Sequence, residues 1–120
     1  MNEPVFEHVS RIRPVRRAVL YVRVLPGQDP EPTFVRLRAE AMRRGWQVGQ
    51  ELYDDGGPQA PQQSKSWLRV RKLCHEGFAD GVLVHDRAHI SKDDMEYVAE
   101  LQYVSRRMCF TALLIPEAAP

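Results

Sequence analysis

Little in this chain announces chemistry, and the gaps exclude several classes of protein. It has two cysteines, Cys74 and Cys109. Each lies in an apolar-periodic or strand-like stretch and reads as a small buried apolar residue. That usage suits a reducing cytoplasm, and no cysteine spacing fits a metal site. No apolar run approaches the ~20 residues that cross a bilayer, so no membrane partner is expected. With Glu3 and Glu7 and no apolar core among the first residues, no secretory signal is expected there. A net charge of +1 gives no general pull toward nucleic acid. "PGQDP" (26–30) has no Walker spacing, and its prolines remove donors, so no phosphate-binding glycine loop is present and no cofactor is expected.

What is present is an alternation. The 120 residues suffice for one compact domain. Residues 1–16 read as a flexible basic lead-in, 17–116 as one α/β domain and 117–120 as a tail. Valine-rich Ala18–Val24 is a strand. After a proline-rich loop, Thr33 caps a helix with Phe34, Leu37, Ala41 and Met42 on its apolar face, stopped by Gly45. Trp46–Tyr53 is a second strand, with Trp46, Val48 and Leu52 on one face. A loop without period, "DDGGPQAPQQSKS" (54–66), is long for a small domain. Trp67, Val70, Leu73 and Cys74 mark a second helix, ended by Gly77. "DGVLVHD" (80–86) is a strand covered on both faces. Ser91 opens a third helix whose buried stripe is Val98, Leu101, Val104 (or Tyr97) and Met108. "CFTALLI" (109–115) is the last strand. Strands alternating with helices predict a flavodoxin-like three-layer sandwich, a parallel sheet of about four strands in the order 2-1-3-4 with helices on both faces.

In that order the first and third strands are neighbours, and their C-terminal ends form the switch point where such folds place ligands. Arg23 and Leu25 would meet Asp86, Arg87 and His89 there. An arginine ending a covered strand needs a partner, because an unpaired buried charge is costly. Asp86 ends the adjacent strand, so an Arg23–Asp86 pair is expected. It serves either as a structural ion pair or as the frame of an anion site to which Arg87 and His89 contribute. A zinc site needs about three convergent ligands. His85, Asp86 and His89 on a strand-to-loop turn are not expected to converge, so no metal is assigned.

"LYVRV" (20–24), "RGWQVGQELYDDGG" (44–57) and "GFADGVLVHDRAHIS" (77–91), in this order, resemble the N-terminal catalytic domain of the serine recombinases, the resolvase/invertase family. The resemblance spans about Arg17 to Pro116. It implies that Arg23 matches the strand-one arginine that helps bind the scissile phosphate. Asp86 and Arg87 match the family's Asp-Arg pair. Leu25 falls where the family has its nucleophilic serine, the family's third arginine falls on Ile90, and Pro58 replaces a serine of the acidic-glycine turn. The family's dimerisation helix and DNA-binding domain have no counterpart after the fourth strand of this sequence.

A leucine has no oxygen to form a phosphoserine link. Ser91 is better explained as a helix cap than as a substitute, and nothing near Ser64 or Ser66 would activate them. His75 suits the C-terminus of its helix and His8 reads as solvated. Arg11, Arg13, Arg16 and Arg17 read as an exposed arm that could contact phosphates weakly and without sequence preference, although no aromatic interleaves the run. The expected function is a stand-alone, resolvase-like domain without the nucleophile, acting as a non-catalytic binding or regulatory protein toward DNA, a protein partner or a second copy. The alternatives are an active DNA recombinase using another nucleophile, and a flavodoxin-like interaction module.

Overall fold

Two periods in the sequence decide the layers. In the computed structural model, which describes residues 14–117, alternate residues of the central strands point to opposite faces, and each face is covered by helices. The elements are β1 (Arg17–Arg23), α1 (Glu31–Arg43), β2 (Gln47–Asp54), α2 (Lys65–His75), β3 (Gly81–Val84), α3 (Asp94–Ser105) and β4 (Phe110–Leu113). Single 3-10 turns lie at Pro61–Gln63 and Arg87–His89. The four strands are parallel in the order β2-β1-β3-β4, as the alternation predicts.

Val19 and Tyr21 of β1 and Val82 and Val84 of β3 face α2 and α3, packing with Trp67, Val70, Leu73, Tyr97 and Val104. Leu20, Val22 and Leu83 face α1, packing with Phe34, Leu37 and Ala41. Trp67 is the largest fully buried side chain. Its ring meets Tyr21 edge-on, and its indole N–H donates to Glu100 at 2.6 Å. Gly81 makes room at the β3–β4 contact, because a Cβ there would run into the Phe110 ring.

Several boundaries depart from the sequence reading. Pro30, not Thr33, precedes α1, and proline's fixed φ suits the first helical turn. Ser64 precedes α2, so the helix takes in Lys65 and Ser66 from what reads as loop. Asp93, not Ser91, caps α3 by accepting the Glu96 N–H. Val98 and Met108 are exposed, and Tyr97, Glu100 and Val104 are the buried residues of α3. Met108 sits at φ 62 in the turn after α3, which puts its side chain outside the stripe. β3 ends at Val84, and the His85 carbonyl still accepts the Ile115 N–H at 2.8 Å before the chain turns away.

β2 holds the most instructive difference. Its pairing with β1 slips by one residue between Ala18 and Leu20. A bulge reverses which side chains face which layer. Trp46 and Val48 therefore pack toward α1 while Leu52 packs toward α2, although all three share one parity in the sequence.

Candidate functional site

The C-terminal ends of β1 and β3 open into a cavity of about 420 Å³. Arg23, Leu25, Gln28, Gly57, Asp86 and His89 are among the residues that line it. Arg23 is the last residue of β1 and is half-buried. Its Nε donates to the His89 carbonyl at 3.0 Å, Nη1 to the Gly57 carbonyl at 3.2 Å and Nη2 to Ser64 Oγ at 2.8 Å. Its guanidinium also lies 5.8 Å from the Tyr21 ring centre.

This corrects the expected Arg23–Asp86 pair. Among the described residues these two side chains form no ion pair. Three neutral oxygens, supplied by the turn after β3 and the long loop after β2, satisfy the guanidinium instead. A guanidinium has five N–H donors, and beyond these three bonds Arg23 also acts on the neighbouring Tyr21 hydroxyl. Nothing periodic in residues 54–66 signals that the loop bends back this far. Ser64, which reads there as a loop hydroxyl, is fully buried. It accepts from Arg23 and donates to the Ala60 carbonyl at 3.0 Å.

Asp86 turns the other way. Its Oδ1 accepts the Ala88 N–H at 2.9 Å, and its Oδ2 lies 2.8 Å from His85 Nδ1. Burial opposes its charge, but the His85 hydrogen bond, the nearby His89 and the Ala88 N–H hold the carboxyl below its ordinary range. His89 Nδ1 accepts the Arg23 backbone N–H at 2.9 Å. That bond places the proton of the neutral ring on Nε2. Burial, and to a smaller degree the charges of His85 and Arg23, push His89 below the ordinary histidine range against the pull of Asp86.

The 3-10 turn Arg87–His89 folds the chain back so that potential ligand atoms of His85, Asp86 and His89 all lie within 4.8 Å of one another. The expectation that these three would not converge is therefore wrong. The turn was the missing information, because it brings a residue four positions on beside the end of the strand.

The other sequence candidates scatter. Arg87 leaves the cavity for α3, where it donates to Asp94 at 2.7 Å and stacks 4.3 Å from the Tyr97 ring centre. Ile90 is fully buried in the core. Ser91 lines the cavity, but its hydroxyl is committed, donating to Glu96 Oε1 and accepting the Asp93 N–H, each at 3.0 Å. Leu25 is 53% exposed where the loop leaves β1, and its backbone N–H donates to Gln28 Oε1.

Arg16 is exposed, whereas Arg17 begins β1, lies over Gly49 and donates to the Phe78 carbonyl at 3.5 Å. Arg11, Arg13 and His8 fall outside the described residues. The acidic-glycine turn has a structural use. Asp54 accepts from Tyr21 OH at 2.6 Å and from the Ser66 and Trp67 N–H groups at 2.9 and 3.0 Å, so it caps α2 from the end of β2. Burial, with the Asp54 bond, raises the Tyr21 phenol above its ordinary range.

The parallel β2-β1-β3-β4 sheet between one helix and a pair of helices is the fold that this chain shares with solved serine recombinase catalytic domains. Two solved structures of that class carry the comparison. The C-terminal catalytic domain of ISC1926 TnpA, an IS607-like serine recombinase, is 24% identical with a TM-score of 0.73, over 82% of this chain and 70% of that one. The N-terminal catalytic domain of TP901-1 integrase is 21% identical with a TM-score of 0.75, over 82% of this chain and 77% of that one. A serine recombinase from Sulfolobus solfataricus is more distant, at 14% identity and a TM-score of 0.59 over 85% of this chain and 71% of that one. No family model matches the sequence, and no curated protein matches it significantly. Among the described residues, no helix is long and apolar enough to cross a membrane.

Proposed function

We propose that this domain keeps the recombinase scaffold without its covalent chemistry and works as a binding domain for the phosphates of DNA. The observation that carries the reading is the side chain at residue 25. A half-exposed leucine stands at the mouth of the cavity, two residues past Arg23, where the resemblance places a nucleophilic serine. Phosphoryl transfer through an enzyme ester needs a hydroxyl beside groups that stabilise the developing negative charge.

The hydroxyls near this cavity do not supply one. Ser64 is sealed beneath Arg23, and Ser91 is committed to Glu96 and Asp93. The position matching the third arginine is Ile90, a core residue. What the site offers is part of the Arg23 guanidinium, with Lys92 also lining the cavity. The carboxylates of Asp86, Asp93 and Glu96 share that lining, which favours weak binding. Such binding falls steeply with salt, as phosphate contacts require.

The test is a denaturing gel of the protein incubated with nicked suicide DNA substrates. No covalent adduct is expected for the wild type. Leu25→Ser alone is expected to give none either, because Ile90 still fills the place of a cation. An adduct that survives denaturation and maps to any serine of the wild type would overturn the reading in favour of an active recombinase.

A further inference from the structure

The geometry points to a divalent transition-metal site formed by His85, Asp86 and His89 at the end of β3, with Zn²⁺ as the ion it fits best. The three residues span one turn of chain, and their ligand atoms lie within 4.8 Å of one another. A zinc ion held tetrahedrally at about 2.0–2.2 Å by nitrogen and oxygen donors separates its ligand atoms by about 3.4 Å, so the widest pair must close by somewhat more than an ångström to complete the set. Asp86 Oδ2 and His85 Nδ1 already face each other at 2.8 Å, a hydrogen bond that must open by about half an ångström to admit the ion.

The surroundings hold these groups in place. The Ala88 N–H fixes Asp86 Oδ1, and the His89 N–H donates to the Asp86 carbonyl, so the turn is tied at both ends. Asp86 and His89 also line the cavity, which gives an ion an entry path and leaves water free to fill a fourth position. Two imidazoles and one carboxylate favour zinc, nickel or copper over magnesium or calcium.

The cost of binding is also visible. His89 Nδ1 accepts the Arg23 backbone N–H, so ligation must displace that hydrogen bond or reverse the ring's tautomer. The Arg23 guanidinium, bonded to the His89 carbonyl, repels a cation as well. Both contacts weaken the site relative to one built from unengaged ligands. The Arg23 amide becomes a reporter, because its hydrogen-bond partner changes when the metal arrives.

The experiment is a ZnCl₂ titration of the whole chain, followed by calorimetry and by amide and histidine-ring nitrogen NMR. One equivalent of zinc is expected to shift the His85 and His89 ring nitrogens and the Arg23 amide, and magnesium to shift none of them. His85→Ala removes a ligand whose side-chain hydrogen bond is to Asp86 alone, and it should weaken zinc at least about tenfold. His89→Gln, which keeps an acceptor for the Arg23 amide, should do the same. Circular dichroism checks that both variants are folded. Absence of saturable binding at up to millimolar zinc would overturn the assignment. So would zinc binding unchanged in either folded variant, since the metal would then sit elsewhere.

Discussion

Replacing Arg23 by alanine removes three hydrogen bonds that join three stretches of chain: the end of β1, the turn at His89 and the loop carrying Gly57 and Ser64. Each bond has a charged donor, the kind worth about 1.5–3 kcal/mol. The full sum is not lost. Gly57 and His89 line an open cavity, so water can reach that region and take over part of the donation. Ser64 is different, being fully buried, and its hydroxyl keeps only its own bond to the Ala60 carbonyl. One well-sealed bond lost outright and two partly replaced by water give a cost of about 2–4 kcal/mol. That is a large share of the roughly 5–15 kcal/mol available to a domain of this kind.

Urea denaturation measures the cost, and amide hydrogen exchange locates it, with faster exchange expected across residues 57–64. Arg23→Lys is the informative control. It keeps the charge but offers one nitrogen, so it should recover no more than about a third of the loss if the bonds matter individually. Wild-type stability in Arg23→Ala, or full rescue by lysine, would refute the idea that this arginine braces the cavity through its geometry.

Asp86→Ala should cost only about 1–2 kcal/mol in the same assay, because Asp86 is bonded to His85 and Ala88 rather than to Arg23. A loss of 3–5 kcal/mol, the scale of a stranded buried charge, would restore the ion pair. Gly81→Ala should lose about 1–3 kcal/mol, since its methyl would collide with the Phe110 ring, and a neutral outcome would mean that β4 can shift freely. Hydrogen bonds from Arg43 and then Arg44 hold the Glu40 carboxyl down from 4.5 to about 2. The lowered value means that its stabilisation is complete above about pH 4.5 and is lost as pH falls toward 2. The pairs are surface-screened, so Glu40→Gln should cost only about 0.5–1 kcal/mol at pH 7 and nothing at pH 2, as read from denaturation midpoints. An equal cost at both pH values would show that charge is not the cause.

The layered order was legible because alternation and helical spacing are local patterns. The Val19/Tyr21 against Leu20/Val22 split, and the Phe34, Leu37, Ala41 stripe, can be read without knowing what lies opposite. The bulge in β2 could not be read, since an extra residue leaves the local alternation of Trp46, Val48 and Leu52 intact and changes only what each one faces. At the site, Arg23 and Asp86 could be placed at neighbouring strand ends, but their partners could not. Those were set by a 3-10 turn at Arg87–His89 and by a loop that buries Ser64, and neither carries a periodic signal. Leu25 at the cavity mouth was accessible from the strand-to-loop boundary alone.

Leu25 and Arg23 divide labour in a way that bears on how such a domain can change over generations. The side chain at residue 25 is half in solvent, and its fixed hydrogen bond comes from its backbone, to Gln28. The fold therefore holds this position through the backbone more than through the side chain. The guanidinium two positions earlier holds the cavity open through its own contacts, whatever occupies residue 25. Reactivity is thus decoupled from architecture. The group at the rim and the concavity behind it can therefore vary independently, since the contacts that brace the one do not run through the other.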